Sequence, residues 1–194
     1  MAKGQDIENA VRSVLHGLGV RIAKSPKATF PQTAHALVPH DAVAKAVIEP
    51  LLRVRAAIAM ESAGVDAAVR PFAGADPVCR RLMTAPQVSP LTALTVRCGV
   101  DEPRQFKRSR SVGAHFGMTP RTRQSGDVSS RGHISRWGDR SVRRALYLAA
   151  RGLVRQKTRP FWLRAWAEQG AERRGRGKAN IAAARRLGVI LHQM

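Results

Sequence analysis

Seven aliphatic side chains set the first constraint on the fold. Val43, Val47, Leu51, Val54, Ile58, Val65 and Val69 recur at about the 3.5-residue spacing of a coiled-coil seam. Only a helix brings such positions to one side. The stretch therefore predicts a long helix, capped by Asp41 and closed at Pro71, with Ser62 and Gly64 weakening the seam near its end. Pro50 lies inside it and predicts a kink or a division in two, because proline lacks an N–H and its ring crowds the preceding turn. Two uses of the seam remain open: the core of this chain, or self-association into a homo-oligomer through the N-terminal helices.

Helical spacing continues on both sides. Ile7, Ala10, Val11, Val14, Leu15 and Leu18 mark an amphipathic helix that Gly17 and Gly19 end. Residues 24–39 read as a connector with a short helix at Thr33–Leu37. Asp76-Pro77 and Ser89-Pro90 each pair a cap with a proline at the first helical position, so 82–98 reads as a helical hairpin. Val142, Ala145, Leu146, Ala149 and Leu153 line a later helix. Pro160 opens another with Phe161, Trp162 and Trp166, which read as core before base-stacking platforms. Residues 171–180, AERRGRGKAN, read as a flexible basic link. Ile181, Leu187, Ile190 and Leu191 stripe the last helix. No strand candidate longer than three or four residues stands out. The expected fold is all-α: long coiled-coil-like helices over 1–73, then a compact helical domain over 74–194 with a helical hairpin and a basic loop.

Charge points to the partner. The chain has 34 Lys and Arg against 13 Asp and Glu, net +21. From Arg104 to Arg159 there are 15 basic residues and 2 acidic ones, net +13. Such an excess repels itself unless a polyanion meets it, and DNA is the expected partner. Cys79 and Cys98 lie far apart, which predicts neither a zinc site nor a disulfide but two buried thiols. No apolar signal core or membrane-length run occurs, so a cytoplasmic, nucleoid-associated protein is expected, with no membrane partner.

Candidate chemistry gathers in 112–150, VGAHFGMTPRTRQSGDVSSRGHISRWGDRSVRRALYLAA. Ser125 stands beside Gly126, among Arg121, Arg123, Arg131 and Arg136. Guanidinium groups pair with phosphate oxygens, and a hydroxyl among them can attack a phosphodiester. Arg140, Arg143 and Arg144 add cations from the next helix, whose cap is Asp139 or Ser141. His115 and His133 carry imidazoles and are candidates for moving the proton. By residue pattern alone Ser125-Gly126 reads first as a plain turn. The acidic residues are scattered, and no metal site or cofactor is expected in this chain.

The order of motifs carries a resemblance. Gly117-Met118-Thr119-Pro120-Arg121 is followed by Ser125-Gly126. Then come Arg131-Gly132-His133-Ile134-Ser135-Arg136-Trp137-Gly138 and a basic helix reaching Leu146, Ala149 and Ala150. The set resembles the C-terminal, serine-bearing domain of DEDD-type insertion-sequence transposases of the IS-one-ten group, also described as bridge-RNA-guided recombinases. The resemblance implies a transposase in which Ser125 attacks DNA and forms a phosphoserine link, with DNA and a guide RNA as partners. It also implies an RNase-H-like first domain whose carboxylates bind magnesium. The chain offers no such segment, so magnesium is expected only with that domain, and a truncated reading frame is expected. Alone, the chain should bind DNA and leave it uncut. Three positions depart from the family: Gln87 and Ser89 replace turn glycines, and Trp137 replaces a basic or small residue. The charge by itself equally supports a non-catalytic basic helical module that binds DNA or RNA.

Overall fold

The computed structural model describes residues 2–23, 25–26, 28–38, 41–156 and 161–194, with the Ala2 and Arg131 side chains also outside the description. The expectation of a helical chain holds. The elements are α1 (Ala2–Gly17), α2 (Phe30–Ala36), α3 (Ala42–Ala75), α4 (Pro77–Leu82), α5 (Pro90–Val100), a 3-10 turn (Pro103–Gln105), α6 (Ser111–His115), β1 (Pro120–Ser125), β2 (Val128–Ile134), α7 (Arg140–Arg155), α8 (Trp162–Arg174) and α9 (Arg176–Gln193). They form two compact units, Met1–Ala68 and Val69–Met194.

In the first unit, Val11 and Leu15 of α1, Phe30 and Ala34 of α2, and Ala44, Ile48 and Leu52 of α3 close one apolar cluster. Glu8 is buried against Arg55, with Nη2 2.8 Å from Oε1. The period expected of α3 is right, but its buried face is different. Ala44, Ile48 and Leu52 point inward, whereas Val43 is 74% exposed and Val47, Val54 and Val65 are also exposed. Helix α3 runs undivided through Pro50 and passes Pro71 to end at Ala75. One missing N–H does not stop a helix whose other bonds remain. The actual stop is the cap of the next helix, where Asp76 accepts from Val78 N and Cys79 N. The short helix expected at Thr33–Leu37 starts earlier, at Phe30. The expected helix start at Pro160 lies outside the described residues.

In the second unit, α7 and α9 carry the core. Val142, Leu146, Ala149, Ala150 and Leu153 meet Ala183, Ala184, Leu187 and Leu191, with Val112 and Phe116 beside them. Residues 171–180 are not a flexible link. Helix α8 ends at Arg174, Gly175 (φ +82°) alone breaks the path, and α9 starts at once. A glycine inside a helix costs about 1 kcal/mol. Burying Ala179, Ala183 and Leu187 against α8 and α7 outweighs that for Gly177. The α4–α5 hairpin forms as expected, and Ser89 caps α5 by accepting from Thr92 N. Its turn uses Gln87 at φ +66°, a conformation that glycine adopts more readily. Gln87 turns its amide onto Gln156 at 2.6 Å.

Cys79 is buried, and burial, followed by the Asp76 carboxylate, raises its thiol pKa. Cys98 is exposed, against expectation, because α5 buries Thr92, Ala93, Val96 and Val100 on its other side. Among the described residues no helix is long and apolar enough to cross a membrane.

The expected basic loop is instead a two-stranded antiparallel ribbon. Ser125 pairs with Val128, Gln124 with Ser129, Arg123 with Ser130 and Thr122 with Arg131. That register leaves Gly126-Asp127 as a two-residue turn. Gly126 has φ +55° and Asp127 is not among the positive-φ residues, the pattern of a type II′ turn, which suits the twist of a hairpin. The ribbon interrupts a helical unit without adding a layer to its core.

A serine-tipped cationic hairpin as candidate functional site

Two isolated strands are marginal in water, so the ribbon depends on its base. The base is tied in several ways. Ser135 N donates to Thr119 O at 2.9 Å and Arg136 N to Gly117 O at 3.0 Å. Met118 N donates to Gly113 O of α6 at 2.8 Å. Arg143, from α7, donates Nη1–H to Phe116 O at 2.9 Å and Trp137 O at 3.0 Å, gripping both ends of the hairpin segment. Gly117 and Gly138 stand where a Cβ would run into backbone, of Trp137 and His115 respectively.

Below this knot α7 begins. Of the two caps open in the sequence, Asp139 serves: Oδ1 accepts from Ser141 N at 2.5 Å and Val142 N at 3.1 Å. Asp139→Ala is expected to cost about 1 kcal/mol, read as a lower denaturant midpoint.

The candidate residues then fall into groups. Every residue of β1 is exposed. Strand alternation places Arg121, Arg123 and Ser125 on one face, with Ser125 next to the turn. Among the described residues no side chain hydrogen-bonds Ser125. Arg121 donates to Ser135 O at 3.0 Å, so it braces the ribbon as well as charging it. Arg123, Arg136, Arg140 and Arg144 are exposed, and the Arg131 side chain lies outside the described residues. Arg143 is partly buried and engaged with two carbonyls, so its first role is the clamp. Among the described residues no cation of 104–156 forms an ion pair. The two acids of that span, Asp127 and Asp139, stand at the tip and in the helix cap.

Neither histidine meets Ser125. His115 ends α6, with its ring edge-on to Phe106 at 5.1 Å and Phe116 at 4.9 Å. His133 lies near the base end of β2. Five residues of strand separate base from tip, about 17 Å at ~3.3 Å per residue. The hairpin thus presents a hydroxyl and cations at its end and holds both imidazoles away from it. For the magnesium that the sequence resemblance implies, this chain's residues do not fit: among the described residues no group of three or more His, Cys, Asp or Glu could hold a metal ion.

One constellation escaped the sequence reading. His192 Nε2 lies 3.0 Å from Pro103 O, which can only accept, so Nε2–H donates. Nδ1 of the neutral ring is then the acceptor for Ser109 Oγ–H at 3.1 Å. A cavity of about 410 Å³ opens beside Ser109, lined also by Arg108, Arg110, Val189 and Gln193. Ser109 and His192 are 83 residues apart, and nothing local in the sequence joins them.

Fold and site together define a class: a helical module that carries a hydroxyl-tipped cationic ribbon. Residues 79–165 match the family described as "Transposase IS116/IS110/IS902 family". The chain is 29% identical over 191 residues to the transposase for insertion sequence element IS1111A of Coxiella burnetii, covering 94% of this chain and 52% of that protein. It is 33% identical over 76 residues to the transposase for insertion sequence element IS1328 of Yersinia enterocolitica, covering 39% of this chain and 23% of that one. The chain is thus similar to IS110-type transposases, over residues 79–165 by the family match and over most of its length by the first relative. It spans about half the length of the first of these relatives.

Proposed function

We propose that the chain is the serine-bearing part of a transposase, and that its hairpin enters DNA with Ser125 as the attacking group. The observation that carries this reading is the ribbon itself, with an exposed serine at its turn and Arg121 and Arg123 on the same face. A two-stranded ribbon fits the major groove of B-DNA, and arginines along it pair with phosphate oxygens. In the proposed step Ser125 Oγ bonds to phosphorus, the bond from phosphorus to the departing strand oxygen breaks, and the hydroxyl proton leaves to a base. A serine hydroxyl is a weak nucleophile without such a base. With His133 about 17 Å away by strand length and His115 on α6 packed against Phe106 and Phe116, the base comes from another domain or chain. A non-catalytic binding module remains the second reading, favoured by the absence of any hydrogen-bond partner for Ser125 among the described residues.

Binding comes first in either reading. Fluorescence anisotropy of labelled duplex DNA should show log K falling linearly with log salt, with slope about −0.9 per phosphate neutralised. Arg123→Gln is expected to make that slope shallower by about 1 without changing sequence preference. Affinity that hardly responds to salt would contradict the electrostatic account.

A further inference from the structure

Trp137 has a role that neither the helical core nor the hairpin ladder explains. Its side chain is 73% exposed. Its backbone, by contrast, is fixed: Arg143 holds its carbonyl, Gly117 packs against its main chain, and the neighbouring Arg136 N–H donates to Gly117 O. The other two tryptophans each have a guanidinium over the ring, and only Trp162 of the two is also exposed, at 51%. Arg186 lies over Trp162 at 5.0 Å and over Trp166 at 4.7 Å. Among the described residues no ring or guanidinium lies over Trp137. A large apolar ring is therefore exposed to water on a fixed stretch of backbone at the foot of the ribbon.

Its surroundings select the occupant. Arg136 and Arg140 flank it and are exposed. The one nearby carboxylate, Asp139, is engaged in capping α7. A neutral or basic protein surface gains nothing from such cations, whereas a nucleic acid strand offers phosphates to them and a flat base to the ring. Base–aromatic stacking tolerates any base and requires that the base be unpaired.

We propose that Trp137 is a stacking platform for an unpaired base of the strand whose phosphates the hairpin arginines hold. This rests on the DNA-binding reading above and extends it: the chain then prefers DNA that is open beside the ribbon. Trp137→Ala, read by anisotropy on a single strand and on a duplex with a short unpaired bubble, should weaken binding roughly 5- to 150-fold. On the fully paired duplex the change should stay under about twofold, since no base is free to stack. Trp137→Phe should recover most of the loss, because a ring is restored. The ring is exposed, so unfolding temperatures of both variants should match the parent, which separates lost stacking from lost fold. Equal losses on paired and unpaired DNA, or no loss on either, would overturn the proposal while leaving salt-dependent binding in place. A parent chain that bound no DNA would overturn both.

Discussion

Ser125→Ala is expected to leave DNA binding intact and to remove covalent attachment entirely. The oxygen deleted is the one proposed to bond to phosphorus, and the next hydroxyl on that face, Ser130 opposite Arg123, stands two residues further from the turn. Deleting a serine nucleophile costs on the order of 10⁶-fold in rate in a well-studied hydrolase, which puts the residual below detection. The substitution should not disturb the fold. Ser125 is exposed, and changes at such positions stay within about 0.5 kcal/mol. The assay combines the full chain, DNA, and a relative's carboxylate-bearing domain supplied in trans, and scores a protein–DNA adduct that survives detergent. Ser129→Ala and Ser130→Ala, two and one residues nearer the turn on β2 than Arg131 is, are expected to keep the adduct. Without the added domain the chain should bind DNA and cut nothing.

Gly138→Ala is expected to rank with Gly117→Ala among the most damaging single methyls in the hairpin region, at about 2–5 kcal/mol. Two costs combine. A φ of +77° is unfavourable for alanine by about 1–2 kcal/mol. The added Cβ would also strike His115 O, a backbone atom that cannot swing aside, and overpacking costs about 1–3 kcal/mol or more. Gly126→Ala is the control. Its φ is +55°, but a Cβ there meets nothing within 4 Å, so only the conformational cost of about 1–2 kcal/mol applies. Chemical denaturation of the two variants should rank them in that order. A Gly138→Ala protein as stable as Gly126→Ala would show that the knot at the hairpin base is looser than described.

The ends of helices were legible because capping is local. Asp41, Asp76, Ser89 and Asp139 each sit within three residues of the N–H groups they accept from. What depends on distant packing was not. The repeat in α3 predicted a helix but not its inward face, since Ala44 loses to Val43 in any hydrophobicity count and wins once Phe30 and Val11 pack there. The ribbon was hidden differently. Gly126-Asp127 is a recognised hairpin signal, yet the strands beside it are arginine, serine, threonine and glutamine with no apolar alternation. Backbone ladder and a pinned base hold it, and a buried face does not. Missing the ribbon also misplaced the proton-transfer candidates: His133 is eight residues from Ser125 in sequence, but pairing sends it to the far end. The link at 171–180 failed because propensity yielded to burial of Ala179 and Ala183.

The most direct measurement is the position of the covalent link. Trypsin cutting after Arg123 and Arg131 releases QSGDVSSR, which holds Ser125, Ser129 and Ser130 together. Mass spectrometry of the trapped, nuclease-treated adduct should find the nucleotide remnant in this peptide, on Ser125 at the turn. A remnant on Ser129 or Ser130, or in another peptide such as the one containing Ser109, would contradict the role given to the hairpin tip.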